Sequence, residues 1–450
     1  MTKRPVRLSL LFAGAALSLG VGMANAQPTR TLNGTTIYNP KKAENGYVLF
    51  STQNQQTYLI DMNGHEVHQW HAEGFPARPI PPSLANGQRG HVLVQTARVV
   101  NPVEQANPGN GMLNQTIAEL DWQGKAQWQW GSKAHPAHQH HDLIKLANGH
   151  ILSLNANLSH LKGFNKRIID NQVQEINADG KVVWSWSAAK HLTDFGLSKA
   201  QLAELKKAGG YDFLHINTAA PLGPNRWYDA GDKRFAPDNI LINSRNVNVA
   251  LIIDRHTGKV VWRVGPNYPT TQWSGKVPRP LDQIIGEHDV HMIPKGFPGA
   301  GNLLIFDNQG NASLSVKNRS MFSASRVIEV NPVTKQIVWQ YDASLSHRAI
   351  WTFFSGFISS AQRLKNGNTL ISEGQSGRLF QVTPKGEIVW EYINPHYGYS
   401  SKEDTYQTNY VYRAYQVNYD WAPKGTPHTQ HAIATKCAAA YPCGVDASKQ

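Results

Sequence analysis

One pattern occurs six times along this sequence: a strand, a tight turn, and a second strand that carries Trp. In the copy Ile117–Trp128, Gly124 lies in the turn and Trp128 follows it by four residues. The six copies span 58–70, 117–128, 173–184, 251–262, 327–339 and 379–390. A unit of this size cannot bury its own faces, so the copies must pack against one another in a ring or a stack.

The segment before each copy completes a four-stranded unit. Apolar residues alternate on both sides of Asn148-Gly149 and of Asn366-Gly367. An Asn-Gly pair between two such runs is the strongest short hairpin signal. Units of four antiparallel strands are typical of β-propellers, where they form radial blades around a central channel. The repeats therefore predict an all-β, six-bladed β-propeller.

The two ends of the chain supply complementary parts of one blade. The first copy begins near Asn45 without a strand before its turn, whereas the strand Tyr412–Val417 has no copy after it. A C-terminal strand that joins the N-terminal blade would close the ring and cover its open edges. One helix, 198–208, is predicted from a capping box of Ser198 and Gln201, and we interpret it as an insertion between the third and fourth blades.

The first 26 residues have the pattern of a secretory signal peptide. Lys3, Arg4 and Arg7 precede a mostly apolar run, and Ala24-Asn25-Ala26 fits the small-residue cleavage rule. We therefore expect a signal peptide over 1–26, a single propeller domain with a C-terminal tail over 27–450, and a periplasmic location. No later apolar run is long enough to span a bilayer, so we expect no membrane insertion.

The charge pattern limits the class of partner that the protein can bind. The formal net charge is +13, but Lys and Arg are scattered and no nucleic-acid-binding motif is present, so the charge favours small anionic molecules rather than nucleic acid.

The two cysteines, Cys437 and Cys443, lie close together in a chain expected to reach an oxidising compartment. They predict a local disulfide, with two free thiols as the alternative.

Three histidines occur at matched positions in consecutive repeats. His141, His215 and His288 fall at or near the same point of the innermost strand in the third, fourth and fifth units. Because the innermost strands line the channel, equivalent points converge at one end of the axis, and we expect these imidazoles to share a pocket. His140 and His291 should point to the opposite strand face and be structural.

Four short segments resemble the bacterial arylsulfate sulfotransferases, a family of periplasmic six-bladed propellers that move sulfuryl groups between phenols. The first two are Asp212-Phe-Leu-His-Ile-Asn217 and Ile240-Leu-Ile-Asn-Ser-Arg245, which are similar to the family's H-x-N and S-R elements. The others are Glu287-His-Asp-Val and Leu303-Leu-Ile-Phe-Asp-Asn308.

The resemblance implies roles for the site residues. His288 corresponds to the nucleophilic histidine that carries the sulfuryl group. Around that group the family places residues that correspond to His141, His215, Asn217 and Arg245. It also implies an aryl sulfate donor and a phenolic acceptor, with no cofactor, no metal and no need for the nucleotide donor PAPS. No P-loop that could hold a nucleotide is present.

The chemistry requires the same residue types. Sulfuryl transfer develops negative charge on peripheral oxygens, which fixed donors such as the guanidinium of Arg245 stabilise. His288 can attack only through an unprotonated ring nitrogen, and His215 or His141 can exchange a proton with the leaving and attacking phenols. Aromatic residues could stack on a phenol, with Tyr412 as the substrate-binding candidate. Core packing is the alternative for it and for Phe213, Phe353 and Phe354.

Three other functions remain open from the sequence. Three histidines around an axis could bind a divalent metal with a catalytic water, which would make the protein a metal-dependent hydrolase or lyase, although Arg245 would repel the cation. The segment Asp254–Trp262 resembles the repeat of quinoprotein dehydrogenases, but eight such repeats and an adjacent Cys pair are absent. A non-enzymatic envelope scaffold would leave the matched histidines without a role.

Overall fold

The computed structural model describes residues 33–98, 114–164, 167–208, 212–269, 276–310, 312, 314, 323–399 and 405–434. The expected signal peptide and the cysteine pair Cys437 and Cys443 lie outside these residues.

The described residues form mainly short strands. The strands are β1 (Gly34–Tyr38), β2 (Tyr47–Ser51), β3 (Thr57–Ile60), β4 (Glu66–Trp70), β5 (Glu73–Ile80), β6 (His91–Arg98), β7 (Asn114–Leu120), β8 (Ala126–Trp130), β9 (Gln139–Lys145), β10 (Ile151–Ser159), β11 (Ile168–Ile176), β12 (Val182–Ser187), β13 (Ile216–Pro221), β14 (Ile240–Ser244), β15 (Val249–Ile253), β16 (Val260–Val264), β17 (Arg279–Pro280), β18 (His288–Met292), β19 (Leu303–Asp307), β20 (Arg326–Asn331), β21 (Gln336–Tyr341), β22 (Ser360–Arg363), β23 (Thr369–Glu373), β24 (Arg378–Val382), β25 (Ile388–Ile393) and β26 (Ala414–Val417). The α-helices are α1 (Lys199–Ala208) and α2 (Arg226–Asp229), and short 3₁₀ helices cover Pro82–Leu84, Ala188–Phe195, Lys233–Phe235, Ala343–Ser346, Ile350–Thr352, Gly374–Ser376 and Tyr419–Trp421.

These strands have the all-β architecture of a propeller. They pair in antiparallel order into five sheets among the described residues: β26-β2-β3-β4, β13-β14-β15-β16, β17-β21-β20-β19-β18, β1-β25-β24-β23-β22, and one sheet of eight strands, β5 to β12. The sheet count is therefore five rather than six. The physical reason is a single pairing, Asn114 with Gln139, which joins the run β5–β8 to the run β9–β12.

One sheet contains strands that lie far apart in the sequence, β2 and β26. β26 pairs antiparallel with β2, with Val417 opposite Tyr47 and Ala414 opposite Phe50. β2 is buried along its whole length, as expected for an apolar strand with neighbours on both edges and both faces. The strand 414–417 thus supplies the neighbour that the first repeat lacks in the sequence.

Tryptophans of the outer strands tie each repeat to the next. Trp70 Nε1 donates to the carbonyl of Asp121 at 2.9 Å. At the end of the series, Trp390 Nε1 donates to the carbonyl of Met62 at 2.8 Å, back in the first repeat. The other bonds of this kind join Trp128 to Ala178, Trp130 to Gly180, Trp186 to Gly258, Trp262 to Pro332 and Trp339 to Pro384. The recurring position of Trp in the repeats therefore places an indole N–H opposite the turn of a neighbouring repeat.

The core lies between neighbouring sheets. In one cluster, Leu241 and Ile252 of the β13–β16 sheet pack with Val290 and Ile305 of the β18–β21 sheet. Other clusters combine β10 with β13–β15, β2–β3 with β23–β25, and β19–β20 with β22–β24. Since both faces of each sheet are covered, the inner strands are held rigidly, and with them the residues at their ends.

The predicted helix is present as α1 with its capping box. Gln201 N donates to Ser198 Oγ at 3.2 Å, and Ser198 N donates to Gln201 Oε1 at 2.9 Å. These reciprocal bonds satisfy two of the amide groups that a helix start leaves unpaired. The helix precedes β13, where the sequence placed it.

Candidate active site

The predicted site residues lie where the inner strands begin. His141 is near the start of β9, His215 directly precedes β13, and His288 is the first residue of β18. Tyr412 lies two residues before β26. Consecutive inner strands run in the same sense along the channel, so these starts meet at one end of it.

The side chains form one cluster. The rings of His141 and His215 are 4.6 Å apart between centroids. Tyr412 contacts two histidines, with its ring centroid 5.8 Å from that of His141 and 6.4 Å from that of His288. The expected convergence of the three histidines on one place is therefore the arrangement found.

The backbone at these positions is strained. His141 and His215 have φ angles of 55° and 49°, and Asp289, next to His288, has a φ of 53°. Left-handed conformations of non-glycine residues are uncommon and cluster at functional sites, because the surrounding structure must compensate for their cost. The sequence pattern gave no indication of this strain.

His288 is held in one tautomer by the hydrogen-bonding groups around its two ring nitrogens. Its Nδ1 faces the carbonyl of Gly286 at 3.0 Å, which can only accept, so Nδ1 carries the proton. The N–H of Ile358 donates to Nε2 at 3.2 Å, so Nε2 carries the lone pair. Burial, and then the charge of Arg245, hold the pKa of His288 well below its usual range. The imidazole is therefore neutral near pH 7, and its lone pair lies on Nε2.

His215 is paired with a carboxylate. Its Nδ1 lies 2.8 Å from Asp212 Oδ2, and Asn171 Nδ2 donates to Asp212 Oδ1 at 2.9 Å. Burial alone would raise the pKa of Asp212, but the charge and hydrogen bond of His215 lower it, so the carboxyl is ionised. The ionised carboxylate fixes the orientation of the His215 ring. Asp212 lies in the H-x-N segment, but no role for it was predicted from the residue pattern.

His140 is part of the site, which corrects the expectation that it faces away. Its Nδ1 lies 2.8 Å from Nδ1 of His141, so one ring donates to the other. The left-handed conformation of His141 interrupts the alternation of β9, and for this reason adjacent side chains meet. Burial lowers the pKa of His140 to about 4 and that of His141 well below its usual range. His291 contacts Asp289 through Nδ1, at 2.9 Å from its carbonyl.

Arg245 presents an unpaired donor at the site. It follows β14, and its backbone N–H donates to the carbonyl of His215 at 3.1 Å. Its side chain is half-buried, and Nε has no hydrogen-bond partner within the described residues. Burial lowers the pKa of Arg245, while Asp212 and Glu287 oppose that shift. A guanidinium remains charged under these conditions, so an anion would satisfy the open donor.

Asn217 serves the backbone around His288. Its Nδ2 donates to the carbonyl of Glu287 at 3.0 Å, and Asn243 Nδ2 donates to the same oxygen at 3.0 Å. This places the amide of the predicted substrate-binding residue against the residue before His288. The side chain of Glu287 itself is buried, and burial raises its pKa well above the usual range.

Tyr412 forms an aromatic wall with a residue that the sequence analysis missed. Its ring stacks on Phe75 with centroids 3.8 Å apart, and Phe75 also contacts His141 at 5.7 Å. The hydroxyl of Tyr412 donates to the carbonyl of Asn217 at 3.3 Å. Of the other aromatic candidates, Phe213 and Phe353 are buried in the core and Phe354 is half-buried.

A buried ion network lies behind the histidines. Arg413 Nη1 is 3.1 Å from Asp142 Oδ1 and 3.4 Å from Asp289 Oδ1, and Arg78 Nη2 is 2.8 Å from Asp142 Oδ1. Asp142 and Asp289 each directly follow a site histidine. The repeated His-Asp pair, at 141–142 and 288–289, is a signal in the sequence that could have identified this network.

The geometry also bears on metal binding and on membranes. Across the described ranges, no group of three or more His, Cys, Asp or Glu side chains is arranged to hold a metal ion. In that same part of the chain, no helix has the length and apolar character needed to cross a membrane.

A family model described as Arylsulfotransferase (ASST) matches residues 27–419, which is most of the chain. The chain belongs to this family. The resemblance seen in the quoted motifs is thereby confirmed. Membership in the arylsulfotransferase family supports a sulfotransferase activity on small aryl substrates.

Comparison with curated proteins gives no match. Among solved structures, a Bacteroides caccae protein of unknown function has 12% identity and a TM-score of 0.47, covering 82% of this chain and 98% of its own. A streptogramin B lyase has 12% identity and a TM-score of 0.39, covering 81% and 83%. Virginiamycin B lyase from Staphylococcus aureus has 11% identity and a TM-score of 0.34, covering 82% and 87%.

Proposed function

We propose that this arylsulfotransferase moves a sulfuryl group from a phenolic sulfate ester to a phenol through a sulfohistidine at His288. The observation that carries the proposal is the state of His288: buried, neutral, and with Nε2 as the nitrogen that holds the lone pair. A neutral imidazole nitrogen among further histidines and a guanidinium is the arrangement that covalent sulfuryl transfer requires.

In the first half of the reaction, Nε2 of His288 attacks the sulfur of the aryl sulfate. The Nε2–S bond forms, the S–O bond to the aryl group breaks, and the phenolate leaves. His215 protonates the leaving oxygen, because its ring lies at the site and is held there through Nδ1 by the ionised Asp212. The open Nε donor of Arg245 lies beside the same site and stabilises the charge on the sulfuryl oxygens.

The second half reverses these steps with a new phenol. His215, now neutral, takes the proton of the acceptor hydroxyl as its oxygen attacks the sulfur, and the Nε2–S bond breaks. The products are a phenol and a new aryl sulfate ester, with His288 and His215 returned to their starting states. Phe75 and Tyr412 provide the aromatic surface beside the histidines on which the phenolic ring of donor and acceptor would lie.

The test is release of 4-nitrophenol from 4-nitrophenyl sulfate, with and without a second phenol, in the presence of a chelator. Wild type, His288→Ala and the control His256→Ala are compared, since His256 is exposed and pairs only with Asp238 among the described residues. We expect acceptor-dependent release that survives chelation, persists in the control and is lost in His288→Ala. Loss on chelation would instead favour a metal-dependent enzyme, and release unaffected by His288→Ala would reject the nucleophile.

We also propose that the fold is a single six-bladed propeller domain over 27–450, closed by β26 in the sheet of β2. Six four-stranded antiparallel runs and the Trp bonds that return from Trp390 to Met62 support this count. Truncation before Ala414 would remove the edge partner of β2, and we expect it to abolish cooperative unfolding. Cooperative unfolding of the truncated chain at the wild-type temperature would contradict the closure.

We propose, from the sequence alone, that the protein is exported to the periplasm after cleavage behind Ala26. The N-terminal residue of the protein recovered from the periplasmic fraction should then be Gln27. Recovery of the uncleaved chain in the cytoplasm would reject this proposal.

A further inference from the structure

Asn308 uses its whole side-chain amide to join the nucleophile to a neighbouring loop. It follows β19 and is fully buried. Its Oδ1 lies 2.7 Å from Nδ1 of His288, while its Nδ2 donates to the carbonyls of Ser355 at 2.7 Å and Ile358 at 2.8 Å. Because both carbonyls can only accept, they fix which end of the amide faces His288.

This orientation supports the tautomer of His288. Asn308 Oδ1 and the carbonyl of Gly286 both face Nδ1, and each needs a proton there. When Nε2 bonds to sulfur, the imidazole becomes cationic and the Nδ1 proton becomes more acidic. Two oxygen acceptors on Nδ1 stabilise that charge, so Asn308 contributes more to the transition state than to the resting state.

The loop that Asn308 holds contains two strained residues. Ile358 and Ser359 have φ angles of 55° and 94°, which cost energy for any residue with a Cβ and most for a β-branched one such as Ile358. Ser359 N donates to the carbonyl of Tyr412 at 3.1 Å, and Ser359 Oγ accepts from Gly374 N at 3.0 Å. These contacts, with those of Asn308, hold the N–H of Ile358 at 3.2 Å from Nε2 of His288.

We propose that Asn308 is a positioning residue for sulfuryl transfer, which fixes the tautomer of His288 and aims the Ile358 N–H at the transferred group. This inference rests on the proposed function. In the resting enzyme the N–H donates to the Nε2 lone pair. Formation of the Nε2–S bond uses that lone pair, and the sulfuryl oxygens attached to the sulfur become the nearest acceptors for the released donor. A fixed backbone donor that gains these oxygens as acceptors only as the Nε2–S bond forms stabilises the transition state selectively.

Two variants separate the two tasks of Asn308, and one serves as a control. Asn308→Ala removes the acceptor and both donors. Asn308→Asp keeps an acceptor for Nδ1–H but loses the donors to Ser355 and Ile358. The control is Asn225→Ala. Asn225 lies in the loop at the far end of β13, and its buried amide donates to the carbonyls of Gly223 and Phe235 at 2.8 Å each.

The readouts are the single-turnover release of 4-nitrophenol without acceptor, the ¹⁵N NMR shifts of the His288 ring, and thermal unfolding. We expect Asn308→Ala to slow the single turnover about 100-fold, as for loss of one oxyanion donor, and to mix the two tautomers. Asn308→Asp should keep the Nδ1–H tautomer but remain slow. Asn225→Ala should lose stability comparably yet retain the wild-type rate and tautomer.

Wild-type turnover and ring shifts in both Asn308 variants would overturn the inference while leaving the proposed function intact. Finding the proton of neutral His288 on Nε2 in the wild-type enzyme would overturn it without any variant. By contrast, failure of the proposed function would appear as wild-type protein that releases no nitrophenol, or that releases it equally well as His288→Ala.

Discussion

Replacing Arg413 by Met tests whether the buried ion network holds the site together. Arg413 is fully buried, and besides its contacts with Asp142 and Asp289 its Nη2 donates to the carbonyl of Asn217 at 2.7 Å and to Thr218 Oγ1 at 3.1 Å. Met fills a similar volume without the charge. The substitution leaves Asp289 without its guanidinium and Asp142 with Arg78 alone.

The magnitude follows from the desolvation of the remaining carboxylates. Removing one member of a buried ion pair costs about 3–5 kcal/mol, because the partner is left charged and unpaired. Burial alone would raise the pKa of Asp142, but the charges of Arg413 and Arg78 lower it below the ordinary value of 3.8. The stability that the Asp142 carboxylate contributes is therefore present above pH 3.8 and is lost as the pH falls through the lower pKa of the folded state. The difference between wild type and Arg413→Met should therefore be full at pH 7 and shrink below about pH 4.

The assay is the free energy of unfolding by urea as a function of pH. Arg234→Met is the control, because Arg234 pairs with Asp232 at the surface and should lose at most about 1 kcal/mol. Asp289→Asn in the Arg413→Met background should recover part of the loss, since it removes the uncompensated charge. A loss below about 1 kcal/mol, or no recovery in the double variant, would show that the ion network does not hold the site together.

Three further changes test other parts of the account. Asp212→Asn should slow sulfuryl release about 100-fold from phenyl sulfate and less from 4-nitrophenyl sulfate, whose better leaving group needs less protonation; equal losses would contradict acid catalysis by His215. Glu287→Gln should raise the free energy of unfolding at pH 7 by up to about 3 kcal/mol, because burial raises the pKa of Glu287 and the wild-type protein loses stability as the pH rises above 4.5. In unfolding measurements the gain should vanish near pH 4.5. Trp390→Phe should cost about 1 kcal/mol through loss of the bond to the Met62 carbonyl, measured by thermal unfolding, and an unchanged melting temperature would argue against the tie.

The repeats predicted the architecture because each carries its own periodicity. Trp128 and Trp262 occur at a fixed distance from the turn, and their indoles bond to the turn of another repeat. The sheet count differed because one pairing, Asn114 with Gln139, joins two runs, and nothing in the sequence pattern marks such a bridge.

The sequence predicted only those parts of the candidate site that follow from the positions of residues along the repeated strands. His141, His215 and His288 come together because equivalent strand starts share one end of the channel. The prediction that His140 faces away from the site was wrong, because the left-handed conformation of His141 brings the two adjacent rings together. Phe75 could not be found because its repeat has no motif near the site.

The N–H of Ile358 could not be found either, since a backbone group is the same at every position. Its role comes from the strained φ angles and from the amide of Asn308, both of which need coordinates. Asn308 itself stood in a quoted motif, but the residue type alone did not reveal which groups it joins.

The sulfohistidine can be detected by mass spectrometry of the enzyme mixed with an aryl sulfate in the absence of acceptor and quenched at alkaline pH. We expect a mass increase of one sulfuryl group on the peptide that contains His288, which disappears when a phenol is added before the quench. Release of the phenol without any sulfurylated histidine, or with the label on a peptide other than that of His288, would contradict it.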